Sequence, residues 1–257
     1  VEAEHRTLGI TGGYSSAEGF GAEVSWEHRN MFSRGARLTL TARGAEIEQS
    51  LSAQLELPNF KRLDQTLSFE SLLKREDTDA FFTHTAELRV HLERVLSPTV
   101  SIVAGAELEY SDVTDSTGDR DFLVAALPLG FRWDNSDDLL DPSKGMRLSV
   151  ITAPSMSFGN GNFSFLKSEI RGSAYYPLID NRELTFALRT RLGSIVGPGT
   201  ERLSATRRFF SGGGGSIRGY SFQGVGPLDA GNDPIGGRSV TEIAAELRWK
   251  FTSDISL

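Results

Sequence analysis

The stretch 207–220, RRFFSGGGGSIRGY, concentrates the residue types best suited to a polar lock. Gly212, Gly213, Gly214 and Gly215 allow positive φ and close backbone approach, so they can act as a hinge. Beyond them stand Ser216, Ile217 and then Arg218, Gly219 and Tyr220. A guanidinium is always charged, planar and carries five donors in a fixed fork. The chemistry on offer is therefore pairing with a carboxylate. A phosphate-cradling loop is excluded, because Gly-Lys-Ser/Thr is missing after the glycines. The competing reading is a flexible, exposed linker of the GGGGS type.

Other constellations offer less. The carboxylates of 134–145, DNSDDLLDPSKG, suggest a metal site, but their Asp-Pro and Lys-Gly pairs read better as turn chemistry. The segment 112–121, DVTDSTGDRD, lacks the spacing and terminal glutamate of a calcium loop. Of four histidines, His91 falls near Glu87 and Glu93, where a solvated ion pair explains it better than a general base. There is no cysteine, which removes disulfides, thiol catalysis and cysteine-ligated metals. The expectation is a protein with no enzymatic activity, no cofactor and no metal. The net charge of −7 argues against a nucleic-acid partner.

The elements that would position Arg218 alternate with period two almost everywhere. Ala86, Leu88, Val90 and Leu92 fall on one face, and Glu87, Arg89, His91 and Glu93 on the other. Ile243, Ala245, Leu247, Trp249 and Phe251 likewise alternate with Glu242, Ala244, Glu246, Arg248 and Lys250. A helix would scatter these charges around its circumference. The pattern predicts about twelve strands, at 7–15, 19–28, 36–46, 48–57, 64–76, 81–96, 99–112, 121–133, 145–158, 163–177, 182–196 and 238–251. Short connections imply an antiparallel meander. Many strands are long enough to cross a bilayer at a tilt, which takes about 9–11 residues.

Two faces of this kind fit a transmembrane β-barrel with its apolar face toward lipid and its ionic face toward a hydrated bore. The inward set is Glu23, Glu27, Arg37, Arg43, Glu48, Glu56, Glu70, Lys74, Glu107, Glu109, Arg132, Arg147, Lys167, Glu169 and Arg171. Almost no charge falls on the lipid face, where Lys or Arg at mid-membrane would cost about 2–4 kcal/mol. Trp26, Tyr110, Trp133, Trp249 and Phe251 stand near strand ends, as an interfacial girdle does. The segments 112–121, 158–162 and the glycine loop are expected on the outer side.

Gly213–Tyr220, read as Gly-x-x-Ser-Ile-Arg-Gly-Tyr, resembles the sixth extracellular loop of the BamA/TamA superfamily of outer-membrane assembly barrels. Arg208, Phe209 and Phe210 look most like its TamA branch. Arg132-Trp133-Asp134-Asn135 through Asp141-Pro142-Ser143-Lys144-Gly145 is similar to the turn before that family's ninth strand, and 12–19 resembles TamA's first hairpin. The resemblance implies an all-β, sixteen-stranded barrel whose long loop enters the lumen. It implies that Arg218 pairs with Glu246, which matches the twelfth-strand glutamate although Ala244 replaces that motif's glycine. It makes 1–257 a barrel domain without strands thirteen to sixteen or the POTRA domains expected upstream. It implies clients that are unfolded β-barrel proteins such as autotransporters, a TamB-like periplasmic partner, and a location spanning the lipid of the outer membrane. Lateral opening beside a first strand weakened by Gly9, Gly12 and Gly13 would admit clients. A two-partner-secretion pore and a BamA-type general insertase are the alternatives.

Overall fold

A computed structural model describes residues 5–15, 19–32, 35–159, 161–179 and 184–250. Among them thirteen strands form one antiparallel sheet. They are β1 (Arg6–Ser15), β2 (Gly19–Met31), β3 (Ala36–Ala45), β4 (Glu48–Leu57), β5 (Gln65–Asp77), β6 (Phe82–Ser97), β7 (Val100–Asp115), β8 (Gly118–Ala126), β9 (Leu129–Asp134), β10 (Gly145–Gly159), β11 (Phe163–Pro177), β12 (Leu184–Val196) and β13 (Ser239–Trp249). Neighbours in sequence are neighbours in the sheet, with β8 and β9 sharing the place between β7 and β10. Phe251 lies outside the described residues.

Two boundaries differ from the sequence expectation. The strand expected at 121–133 is broken at Leu127–Pro128, because proline brings no N–H to the ladder. The register survives the break: Ala126 faces Glu107 and Leu129 faces Ala104. Gly105 N donates to Pro128 O at 2.9 Å and Leu127 N to Pro154 O at 3.0 Å, carrying the ladder across. The segment 112–121, expected as a loop, is mostly strand. Its turn shrinks to Ser116 and Thr117, with the Asp115 carboxylate accepting from Thr117 N at 2.9 Å. An aspartate that caps its own turn needs no longer loop.

The sides separate as an outer-membrane barrel wall requires. Leu88, Leu108, Ile243 and Leu247 are exposed on the outer face, while Glu87 and Glu109 on the opposite face are buried. On β6 the outward residues between His84 and Arg94 are Ala86, Leu88, Val90 and Leu92. The apolar stretch 85–93 is the length that a tilted membrane strand needs, about 9–11 residues. Arg94 closes the lower end by pairing with Asp64 at 3.0 Å. That hydrogen bond holds the Asp64 carboxyl, in the turn after β4, below the usual carboxylate range. The outer face carries more charge than expected, since Arg75, Asp77, Asp112 and Asp121 also point outward. All four sit near the strand ends on the loop side, where a charge reaches the headgroups and escapes the mid-membrane cost.

The bore is also less uniformly hydrated than its charges suggest. Val113, Phe122, Val124, Phe165 and Ile195 occupy inward positions near the loop end and are buried with Leu203, Ala205 and Phe209 of the long loop. Those inward positions are covered by polypeptide, so apolar side chains pay there.

Candidate functional site

The segment between β12 and β13, residues 197–238, turns inward and is fastened to the inner wall at several heights. Two 3₁₀ turns, Thr200–Arg202 and Ala205–Arg207, start it. The polypeptide then returns alongside itself, with Phe209 and Gly237 exchanging N–H···O bonds of 2.8 Å and a second bridge joining Ser211 to Val225.

Arg208 is the most completely buried cation of the segment. Its Nη2 lies 2.8 Å from Asp115 Oδ2, and the two side chains are only 2 % and 1 % exposed. Its remaining donors are spent on Leu203 O at 2.8–3.2 Å and Ile235 O at 3.1 Å, so one guanidinium joins both legs of the loop to the tip of the β7–β8 hairpin. Arg120 flanks the same carboxylate at 3.1 Å and also donates to Glu201 O. The pairing of Arg208, with every nitrogen of its guanidinium bonded, is what makes its burial tolerable.

Arg207 forms a second fastening lower on β7, 2.8 Å from Glu109 and 3.4 Å from Glu107. Thr206 Oγ1 donates to Glu109 at 2.8 Å, and Lys167 Nζ donates to Arg207 O at 2.9 Å. Phe209 provides the apolar fastening. Its ring lies against Gly193 of β12, where a Cβ would meet ring atoms at 2.6 Å and Val240 at 2.7 Å. Lys167 and Arg191 approach the same ring at 4.8 and 5.7 Å from its centroid, within cation–π range. Phe210 packs on Phe81 with centroids 5.7 Å apart.

A third polar cluster surrounds Glu242 on β13. It accepts from Ser211 Oγ at 2.7 Å and Ser216 Oγ at 2.5 Å, and Arg191 stands 3.3 Å away. Ser216 O accepts in turn from Arg189 at 3.0 Å. The serine before the arginine motif is thus seated on the wall.

Arg218 itself lies 3.7 Å from Glu246 Oε1, the carboxylate that the resemblance assigned to it. The setting differs from expectation: Arg218 is 82 % exposed, and Glu246 is shared with Arg248 at 3.3 Å. The confinement foreseen for Arg218 is found at Arg208, ten positions earlier, where Leu203, Ile235 and Asp115 enclose the guanidinium. Tyr220 is 61 % exposed. The glycine hinge divides in two. Gly212 and Gly213 take φ of +112° and +91°, and a Cβ on Gly212 would meet Ser221 O at 2.5 Å. Gly214 and Gly215 have no such φ and open space around them, so nothing local requires glycine there. Gly219 has φ +87°.

Elsewhere the inner wall is laced with ion pairs. Arg89 joins Glu70 and Glu87, Arg191 joins Glu169 to Glu242, and Arg43 faces Glu48. His91 reaches Glu107 at 3.8 Å, neither Glu87 nor Glu93, and lies over Gly105. In 134–145 the carboxylates cap amides: Asp137 accepts from Ser143 N and Lys144 N, and Asp138 from Leu140 N and Asp141 N.

An antiparallel wall, oily outside and ionic inside, with a long loop pinned against its inner face, defines an outer-membrane β-barrel domain. The chain belongs to the Omp85 superfamily, whose domain model matches residues 30–256. Within it the chain is a member of the BamA/TamA family, and its membrane is the Gram-negative outer membrane. It is 25 % identical over 266 residues to the outer membrane protein assembly factor BamA of Nitratidesulfovibrio vulgaris, covering 99 % of this chain and 33 % of that protein. A SAM50-like protein of Schizosaccharomyces pombe is 30 % identical over 158 residues, covering 61 % of this chain and 30 % of the other. Among solved structures, BamA from Haemophilus ducreyi lacking POTRA domains 1–3 superposes with a TM-score of 0.84 at 17 % identity, covering 98 % of this chain and 55 % of that one. CdiB from Acinetobacter baumannii follows with a TM-score of 0.61 at 16 % identity, covering 96 % and 47 %. The chain spans about a third of the length of the curated BamA relatives it matches.

Proposed function

We propose that this chain is the membrane-embedded part of an outer-membrane assembly factor that inserts or exports client β-barrel polypeptides, and that it acts without covalent chemistry. The observation that carries the reading is the pairing of a pinned inner loop with a yielding first strand. The loop fastenings stiffen the wall from β7 to β13. On β1, by contrast, Gly9, Gly12 and Gly13 pack nothing, and Leu8, Ile10 and Tyr14 are 64–74 % exposed. That strand is not short: all ten of its residues pair with β2. A strand held on one edge by backbone bonds, with little side-chain packing, suits templating of an incoming strand by β-augmentation. The likeness to BamA supports insertion as the activity. Arg208, Phe209 and Phe210 favour the TamA branch, with autotransporters as clients and a TamB-like periplasmic partner.

The test is cysteine crosslinking in cells between β1 positions, such as Ile10, and a client autotransporter stalled during assembly. Crosslinks at alternate β1 positions support the reading; none on β1, with client crosslinks confined to the lumen, would favour a secretion pore.

A further inference from the structure

Beneath the fastenings at Arg207 and Phe209, the inner wall of β9 to β12 is a lattice of arginines spaced by serines. One row runs in register through Arg132, Ser149, Arg171 and Arg191. The next row away from the loop is Arg147, Ser173 and Arg189. A depression of about 340 Å³ lies between Arg132 and Arg171, with Gly130, Ser149 and Ile151 along its floor. The other half of the inner wall has the opposite character. On β2 to β6 inward carboxylates, Glu23, Glu48, Glu56 and Glu70 among them, outnumber inward cations. Walls of unlike sign set up a field across the bore that draws anions toward the arginines.

The arginines are only partly matched. Arg132 and Arg171 stay 60 % and 66 % exposed although each touches a glutamate, Glu93 and Glu169 respectively. Glu169 also serves Arg191 at 3.4 Å, and Arg191 stands directly opposite Arg171. Glu242, the other partner of Arg191, is already taken up by Ser211 and Ser216. Arg189 is exposed, donates to Ser216 O at 3.0 Å and meets no carboxylate among the described residues. Like charges facing each other across a strand pair destabilise the sheet. An anion lodged here would therefore relieve the wall as well as bind to it.

We propose that this lattice is a binding site for an extended acidic polypeptide segment, one with a carboxylate at every second residue. Arg171 and Arg189 are diagonal neighbours on β11 and β12, about 7–8 Å apart. Alternate side chains of an extended strand recur every ~6.8 Å, so successive carboxylates on one face reach successive guanidiniums. Each guanidinium can take a carboxylate through two parallel N–H donors. The short side chains of Ser149 and Ser173 leave room for the segment to approach. The inference rests on the reading that client polypeptide enters this barrel, and it adds the charge of the segment that the wall accepts. It makes no use of the β1 edge.

The experiment is fluorescence anisotropy of the purified full chain in nonionic detergent, offered labelled octapeptides that alternate threonine with glutamate, glutamine or lysine. The glutamate peptide is expected to bind about tenfold more tightly than the other two, as a few exposed ion pairs together allow. Raising the salt from about 0.1 M to 1 M should abolish that difference. Arg171→Gln and Arg189→Gln each weaken binding about threefold, the scale of one exposed ion pair, and the double variant about tenfold. Arg37→Gln, inward on β3, leaves it unchanged. Equal or absent binding of the glutamate and glutamine peptides, no loss in the double variant, or an equal loss in Arg37→Gln would each overturn the inference. Displacement of the peptide by phosphatidylglycerol at equal charge would also overturn it and assign the arginines to lipid phosphate. None of these outcomes bears on the β1 crosslinks, which test separately how clients are inserted.

Discussion

Arg208 and Asp115 meet at 2.8 Å across 93 residues of chain, with both side chains almost completely withdrawn from solvent. Breaking a buried pair by removing one partner strands the other and costs about 3–5 kcal/mol. Arg208→Met is therefore expected to release the start of the loop. Limited proteolysis of the folded protein should cut within 197–238 far faster than in wild type. Unchanged cleavage would show that Phe209 and Arg207 suffice.

Arg218→Ala should behave differently. Its partner is 3.7 Å away and the side chain is mostly exposed. An exposed pair contributes at most about 1 kcal/mol. The melting temperature and loop protease resistance should stay close to wild type, while client assembly is the readout to watch. A loss of assembly without a loss of stability would place the role of Arg218 in client handling.

Gly193 is the counterpart of Phe209. A methyl group there would lie 2.6–2.7 Å from the ring and from Val240. Overpacking of this kind costs about 1–3 kcal/mol. Gly193→Ala should expose Phe209 and accelerate loop proteolysis, although the residue lies on a strand away from the glycine run. Unaltered proteolysis would mean that β12 shifts to accommodate the methyl.

The four glycines should separate under substitution. Gly212→Ala forces a side chain into positive φ against Ser221 O and is expected to destabilise the loop. Gly214→Ala and Gly215→Ala meet open space and should be neutral or slightly stabilising. Melting curves of the three single variants decide it, and equal destabilisation in all three would contradict the division.

Much of this was legible before any coordinates. Alternation along β6 and β13 assigns each residue to lipid or lumen, because a strand's side chains point to opposite faces in turn. What period two cannot show is which inward positions are wet. Val113 and Phe122 point inward and are covered by a distant loop. Nor does a local motif reveal depth. Arg208 and Arg218 are both arginines among glycines and aromatics, and the difference between them lies in contacts to residues 93 and 28 positions away. The turn at Ser116–Thr117 was hidden because a run of polar residues reads as loop, whereas half of that run alternates on a strand end.

The loop's fastenings are unevenly spread. Its hydrogen bonds and ion pairs to the wall reach β7, β8, β11, β12 and β13. The loop is therefore anchored lopsidedly, and among the described residues none of these bonds reaches β2, β3 or β4. The inner face there presents charges already matched in sign, Arg37 with Glu56 and Arg43 with Glu48.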